Sequence, residues 1–267
     1  MEFGISNFDG HIGYKLASTL EAAGFDYLED NVQSLLRGDV KDDAWTGMED
    51  TADCGLPIAV ANCLIPAALK VVGPTADLAA LESYLNTVLL RARRIGITTL
   101  VFGSGGARQV PEGFARETAV EQIVDFLKMA GPLAQQHGVT LVVEPLNKGE
   151  TNIINTVAEA MDVVLAVGHP AVRGLLDSYH FWMEKEELQN VEDAAAALGH
   201  VHVADLAGRV APGESGPEAA AMYRAFFGAL KRGGYKGCIS VEGAWPTDLA
   251  LGGKRVVTFL KEQWEQA

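Results

Sequence analysis

The feature that most constrains the fold of this chain is a repeated alternation of short apolar runs with longer amphipathic stretches. Most of the runs are β-branched or aromatic and apolar at consecutive positions, which is typical of strands buried on both faces. Eight such runs cover residues 2–6, 25–29, 58–62, 98–102, 139–143, 172–176, 199–203 and 238–241. Helical patterns such as residues 77–95 and 117–137 separate them. Strands that alternate with helices eight times predict an α/β fold, the (β/α)8 TIM barrel.

Glycines and chain length support this interpretation. Gly24, Gly96, Gly138 and Gly168 follow helical stretches, where a left-handed residue commonly ends a helix. The chain has 267 residues, of which 48% are apolar, and α/β barrels run to about 250 residues as one domain. No linker or low-complexity tract is present, so we predict a single domain over residues 1–267. The less regular residues 37–55 predict a lid or an elaborated connection.

Charge and cysteine usage narrow the functional class. A net charge of −14 argues against nucleic acid as a partner, because phosphate neutralisation needs clustered Lys and Arg. Cys54, Cys63 and Cys238 match no paired metal spacing and are expected to be reduced thiols. No basic region precedes an apolar stretch at the start, and no apolar run reaches the ~18 residues of a membrane span. We therefore expect a cytoplasmic protein that does not contact membranes.

Four potential metal ligands lie at the ends of the last four predicted strands. Glu144, Asp177 and Glu242 each follow an apolar run directly, and His202 lies within the run 199–203. A closed parallel sheet brings the carboxyl ends of its strands around one axis. Buried carboxylates carry a large desolvation cost unless a cation or protons compensate. The combination predicts a divalent metal ion, with the imidazole favouring Mn, Co or Zn over Mg.

Each of these residues also has an ordinary explanation. A single Asp or Glu after a strand commonly caps a helix, and a single histidine is commonly a hydrogen-bonded core residue. His200 competes with His202, since residues two apart on a strand point to the same side. Spacing alone leaves that choice open. Polar or glycine-rich segments follow the first four predicted strands at residues 7–11, 30–31, 62–63 and 103–108. They favour function at the same rim, although residues 103–108 are a weak signal for phosphate.

The sequence around these ligands resembles the sugar isomerase/epimerase superfamily, which contains ketose 3-epimerases and hydroxypyruvate isomerase and has the xylose isomerase-like barrel. Residues 144–152 (EPLNKGETN) are similar to its EPLN-x-x-E-T signature, and residues 177–180 (DSYH) to its D-x-x-H element. Residues 200–213 (HVHVADLAGRVAPG) resemble H-x-H/Q-x-A-D-x-x-G-R-x-x-P-G, and residues 241–243 (VEG) resemble the final strand. The likeness spans nearly the whole chain.

The resemblance implies roles for seven residues. The metal ligands would be Glu144, Asp177, His202 and Glu242, with the second histidine of His-Val-His preferred. Glu144 and Glu242 would also be the catalytic acid and base, and Glu150, His180 and Arg209 would bind the substrate. Without the resemblance, Glu150 would be interpreted as a helix cap, His180 as a surface-loop histidine and Arg209 as a solvated arginine. Phe8, Phe102, Trp182 and Trp245 would supply an apolar surround or would simply pack.

The implied function is that of an EC 5 isomerase or epimerase of carbohydrate metabolism, acting on a small sugar, ketose or hydroxy-carbonyl compound through a metal-stabilised enediolate. The departures concern the substrate. Arg209 lies seven residues after His202, one more than in ketose 3-epimerases, and Ala207 replaces the proline usual in hydroxypyruvate isomerase.

A lyase or dehydratase of an oxidised sugar and a non-catalytic sugar-binding barrel are the alternatives. Abasic-site endonucleases on this barrel need early-strand histidines, where only His11 is present, and a basic face. The resemblance also allows a homo-oligomer.

Overall fold

The computed structural model describes residues 1–6, 14–245 and 248–267, without the side chain of Lys15. Eight parallel strands close into a barrel in sequential order, and the last strand pairs with the first. The strands are β1 (Phe3–Ser6), β2 (Tyr27–Asn31), β3 (Ile58–Asn62), β4 (Thr99–Phe102), β5 (Thr140–Val143), β6 (Val172–Asp177), β7 (Leu198–Val203) and β8 (Cys238–Val241). The predicted (β/α)8 TIM barrel is confirmed.

The predicted and observed strands agree within one residue at each end, except at β2. We predicted residues 25–29, whereas β2 is Tyr27–Asn31. The shift has a local cause at the end of the preceding helix. Gly24 is left-handed with φ 109°, and the backbone N–H groups of Gly24 and Phe25 both donate to the carbonyl of Leu20 at 3.1 Å. This arrangement terminates the helix through Phe25 and delays the strand.

Helices cover the outside of the barrel. The α-helices are α1 (Ala17–Ala23), α2 (Gly47–Asp50), α3 (Leu78–Ile95), α4 (Gly105–Arg108), α5 (Arg116–Gln136), α6 (Val157–Val167), α7 (Ser178–Met183), α8 (Leu188–Ala194), α9 (Ala219–Arg232) and α10 (Leu249–Gln266). Asp77 accepts hydrogen bonds from the N–H groups of Ala79 and Ala80 and so begins α3, as predicted to within one residue. Over the described residues, every helix is too short or too polar to cross a membrane.

Residues 37–55 form an elaborated connection between β2 and β3. It contains a 3-10 helix (Asp42–Ala44) and α2. The fully buried Arg91 of α3 fixes its first part. The Arg91 guanidinium donates to the carbonyls of Leu36, Arg37 and Val40 at 2.9, 2.6 and 2.7 Å and pairs with Asp42 at 2.8 Å.

The barrel interior changes from apolar to polar along its axis. An apolar cluster contains Tyr27, Val60, Val101, Val142 and Leu175, all buried. Side chains two positions apart on a strand point to the same side of the sheet. The next inward positions toward the carboxyl ends are therefore Glu29, Asn62, Gly103, Glu144 and Asp177. The alternation of the strands thus places a ring of polar residues at one rim.

Candidate active site

Four predicted ligands come together at the rim. One ligand atom each from Glu144, Asp177, His202 and Glu242 lies within 4.8 Å of the others, and all four residues are buried. Asp177 is the last residue of β6, and Glu144 and Glu242 directly follow β5 and β8. His202 lies on β7, paired with Asp177 of β6 and Ser240 of β8. Four consecutive strands therefore supply one cluster.

The two histidines of β7 occupy different environments. His202 Nδ1 lies 3.3 Å from Glu144 Oε1 and 3.5 Å from Glu242 Oε2. His200 lies deeper, where its Nε2 is 3.1 Å from Glu29 Oε2 and 3.0 Å from the Ser240 hydroxyl. In the structure His202, and not His200, borders the cluster.

The chemistry of these side chains fits a divalent cation. Asp177 Oδ1 accepts from the N–H of Tyr179 at 2.7 Å and begins α7. Its other oxygen, Oδ2, is buried and has no hydrogen-bond partner among the described residues. The Arg209 guanidinium lies 3.6 Å from Oδ2, beyond hydrogen-bond distance, so this oxygen keeps the capacity to bind a cation directly. Three carboxylates and one imidazole form a donor set that suits Mn, Co or Zn.

The two glutamates of the cluster have opposite electrostatic environments. Burial raises the pKa of Glu144, and the negative charge of Glu242 raises it further. Burial also acts to raise the pKa of Glu242, but His202 and Arg209 outweigh it and lower that pKa. His202 contributes most to this lowering, and the Arg209 guanidinium, which donates to Glu242 Oε2 at 2.7 Å, adds to it. Carboxyl groups pushed apart in this way are suited to opposite roles in proton transfer.

Arg209 and Glu150 lie together beside the cluster. Arg209 donates to Glu150 Oε1 at 3.2 Å, and its guanidinium lies 4.9 Å from the centre of the Tyr179 ring. The cap interpretation of Glu150 is wrong, because the side chain of Thr156 itself accepts from the N–H of Glu159 at the start of α6. Arg209 is held between carboxylates and an aromatic face, so its orientation is fixed.

His180 lies in α7 rather than on a loop, and it is buried. Its Nδ1 accepts from the backbone N–H of Asn147 at 3.2 Å and lies 2.8 Å from the Asn147 side-chain amide. A neutral imidazole with Nδ1 as acceptor carries its hydrogen on Nε2. His180 Nε2 lies 3.7 Å from Asp177 Oδ2. Neither of these two atoms has a hydrogen-bond partner among the described residues. The ring therefore presents an unused donor to the cluster.

Three further residues contact the site, and the sequence analysis assigned none of them a role of its own. Glu29 is fully buried and bonds both histidines of β7. Asn62 donates to Glu242 Oε1 at 3.0 Å, and Asn147 contacts His180. Asn62 ends β3 and belongs to the polar segment 62–63 noted in the sequence, whereas Glu29 lies in the middle of β2 beside Asp30, and only the register of the strand distinguishes the two acids.

A cavity of about 290 Å³ adjoins the cluster. Its lining includes Cys63, Gly103, Ser104, Glu144, Glu150, Arg209 and Glu242. The predicted aromatic surround is largely ordinary packing: Phe102 contacts Phe126, Trp182 contacts Tyr223, and Trp245 contacts Phe25. Phe8, His11 and the rest of residues 7–11 lie outside the described residues.

Comparison with known proteins gives the same family as the motifs. The chain is 31% identical to 3-dehydro-D-guloside 4-epimerase of Escherichia coli over 124 residues. This aligned region covers 46% of this chain and 45% of that protein. The chain is also 32% identical to D-psicose 3-epimerase of Ruminiclostridium cellulolyticum over 94 residues. This aligned region covers 35% of this chain and 32% of that protein. The chain thus matches less than half the length of these two relatives.

The fold comparison extends over the whole barrel. A crystal structure of D-psicose 3-epimerase with D-tagatose from Clostridium cellulolyticum H10 superposes with a TM-score of 0.82, covers 99% of both chains and is 18% identical. At that identity the likeness shows the fold alone. The sequence profile of one protein family, the xylose isomerase-like TIM barrel, matches residues 17–263. The chain belongs to the xylose isomerase-like TIM barrel family.

Proposed function

We propose that this protein is a metal-dependent isomerase or epimerase of a small ketose or hydroxy-carbonyl compound. One observation carries the proposal: two glutamates, Glu144 and Glu242, share a cluster with Asp177 and His202, yet their pKa values are shifted in opposite directions. Two carboxyl groups of unlike basicity beside a metal site suit the removal and return of a proton. Among the relatives that match the chain, some are named epimerases and others putative hydroxypyruvate isomerases, which supports the same reaction class.

Glu144, Asp177, His202 and Glu242 would hold the metal ion. When bound, a divalent cation would polarise the substrate carbonyl and an adjacent hydroxyl and stabilise the negative charge of an enediolate. His180 Nε2–H is aimed at the cluster and would donate a hydrogen bond to a substrate oxygen. Arg209, held by Glu150 and Glu242, would orient the substrate and keep the Glu242 carboxylate ionised.

Proton transfer is assigned to the two glutamates. Glu242, whose pKa is lowered, takes the proton from the carbon next to the carbonyl. Glu144, whose pKa is raised, returns a proton from the other side. Return to the same carbon inverts it and gives an epimer, whereas return to the former carbonyl carbon gives an isomer. In the reverse direction the two residues exchange roles.

The cavity favours a small uncharged substrate. Its volume of about 290 Å³ is near the lower limit of ligand pockets, roughly 300 Å³. Three carboxylates line it (Glu144, Glu150 and Glu242), and Arg209 is the one cation among its described lining residues. With Asp177 and a doubly charged metal ion added, the local charge is about −1, so a phosphate group would gain little.

The test is proton NMR in D2O of the Mn-loaded protein with a panel of free ketoses, hydroxypyruvate and tartronate semialdehyde. We expect conversion of a neutral ketose, with solvent deuterium at one carbon. Conversion without deuterium would contradict proton exchange through the two glutamates. A metal-loaded protein that neither converts nor exchanges any compound would contradict the isomerase proposal and favour a lyase or a binding protein.

The variants Glu144→Gln and Glu242→Gln should each lower kcat by at least about 100-fold, because general acid–base groups contribute ~10²–10⁴. The exposed Glu117→Gln on α5 is the matched control and should retain wild-type activity. Metal content of each purified variant, measured alongside turnover, separates loss of proton transfer from loss of the ion. Near-normal kcat in either metal-loaded variant would remove that residue from the mechanism.

A further inference from the structure

Glu29 is a buried carboxylate that the proposed reaction does not use. It lies on β2, across the barrel from β7, and its side chain is fully inaccessible to solvent. Glu29 Oε1 lies 2.9 Å from His202 Nε2, and Oε2 lies 3.1 Å from His202 Nε2 and 3.1 Å from His200 Nε2. A carboxylate in the barrel interior needs strong partners, and the two imidazoles supply them.

Glu29, His200 and His202 form a hydrogen-bonded group beneath the candidate metal centre. The group's nitrogen–oxygen separations are 2.9–3.1 Å, and a group of one carboxylate and two imidazoles at these distances is satisfied by its own hydrogen bonds. The Ser240 hydroxyl, 3.0 Å from His200 Nε2, also lies 3.0 Å from the Tyr27 hydroxyl. These contacts hold His200 and Glu29 in place. By contrast, Glu144 and Glu242 on the other side of His202 line the cavity.

The two nitrogens of His202 therefore have separate tasks. Nδ1 faces Glu144 and Glu242 in the candidate metal centre, and Nε2 faces Glu29. A neutral imidazole that binds a metal through one nitrogen carries its hydrogen on the other, and a carboxylate acceptor there fixes the ring orientation and the tautomer. Glu29 is the acceptor in the right place.

We propose that Glu29 is a positioning residue for the metal centre, which holds His202 as the Nε2–H tautomer with Nδ1 directed at the metal ion, and that His200 and Ser240 fix Glu29 in turn. This inference rests on the metal site of the proposed function but not on the substrate or the reaction. It extends the site into the barrel interior, to a strand that the family motifs quoted above do not include.

The test compares Mn2+ affinity, by competition with a chelator, in wild type and two variants of similar side-chain volume. Glu29→Met removes the acceptor, and Glu29→Gln keeps one acceptor oxygen without the charge. We expect about 10- to 100-fold weaker binding for Glu29→Met and a smaller loss for Glu29→Gln, which would act as the conservative rescue. Asp205→Asn is the matched control, since Asp205 is a buried carboxylate that accepts from the N–H groups of Gly213 and Ser215. It should bind Mn2+ as wild type does.

A second measurement needs no variant. In the Zn-loaded wild type, long-range proton–nitrogen NMR of the His202 ring should show a hydrogen on Nε2 and a metal-bound Nδ1. Metal on Nε2, or Glu29→Met binding Mn2+ within twofold of wild type, would overturn the role of Glu29 alone. A wild-type protein that binds no Mn2+ would overturn the metal centre and this inference together, so the two failures are distinguishable.

Discussion

Gly103 shows how a single residue without a side chain serves the candidate site. A Cβ at this position would lie 2.1 Å from Glu144 Oε2, far inside contact distance. The backbone of Gly103 is outside the left-handed region, so an alanine would be compatible with its conformation. The requirement for glycine therefore comes from the carboxylate that lies against it.

Gly103→Ala should displace the Glu144 carboxylate while leaving the fold intact. We expect kcat to fall by about 100-fold, because a displacement of a catalytic group by about 1 Å produces a loss of this size. Mn2+ affinity should fall as well. Gly55→Ala is the matched control, because its Cβ would meet nothing within 4 Å. Turnover and thermal unfolding of both variants check this prediction. An active Gly103→Ala protein would show that Glu144 does not need its present position.

At the scale of elements, the connection between β2 and β3 is held by one buried cation. Arg91 of α3 bonds three backbone carbonyls and Asp42. Gln33, in the helical turn Val32–Leu36 that leads into this connection, lines the cavity and donates to the carbonyl of Cys63 at 2.9 Å. Order in this connection therefore bears on one wall of the candidate site.

Arg91→Met should lower the free energy of unfolding by about 3 kcal/mol, because several buried hydrogen bonds to a charged group are lost. Urea denaturation measures the change, and limited proteolysis should show new cleavage within residues 37–55. The exposed Arg93 on the same helix is the control, and Arg93→Met should change stability by no more than about 0.5 kcal/mol. Equal stability of the two variants would show that Arg91 does not fix the connection.

The elements were predictable because strands buried on both faces leave a strong apolar signal, and because glycines mark the helix ends. The sequence could not reveal the shift of β2, which depends on the hydrogen bonds that close α1 at Gly24 and Phe25. Nor could it separate Glu29 from the adjacent Asp30. Which of two neighbouring acids points into a barrel depends on strand register, and register is a property of the closed sheet.

At the scale of the whole molecule, metal binding, stability and pH should be linked. Burial by itself lowers the pKa of His202, but the charges of Glu29 and Glu242 raise it well above its usual value. Burial raises the pKa of Glu144. A protonated His202 cannot bind an ion through Nδ1, so a metal ion would have to displace that proton.

Mn2+ affinity should accordingly rise with pH and fall on acidification. Titration calorimetry in buffers of different ionisation enthalpy measures the released protons directly. Mn2+ at about 100 times its Kd should also stabilise the fold by roughly 2.7 kcal/mol, and a chelator should reverse the rise in Tm. Metal affinity independent of pH, with no proton release, would contradict these protonation states.

The polar column formed by Tyr27, Ser240, His200, Glu29 and His202 has a practical meaning for protein engineering. It is supplied by β2, β7 and β8, whereas much of the cavity wall comes from connecting segments such as residues 103–106. The part proposed to orient the ion and the part that would select the substrate thus lie in different stretches of chain. A library that varies the connecting segments and keeps the column unchanged should yield new substrate preferences without a new metal site.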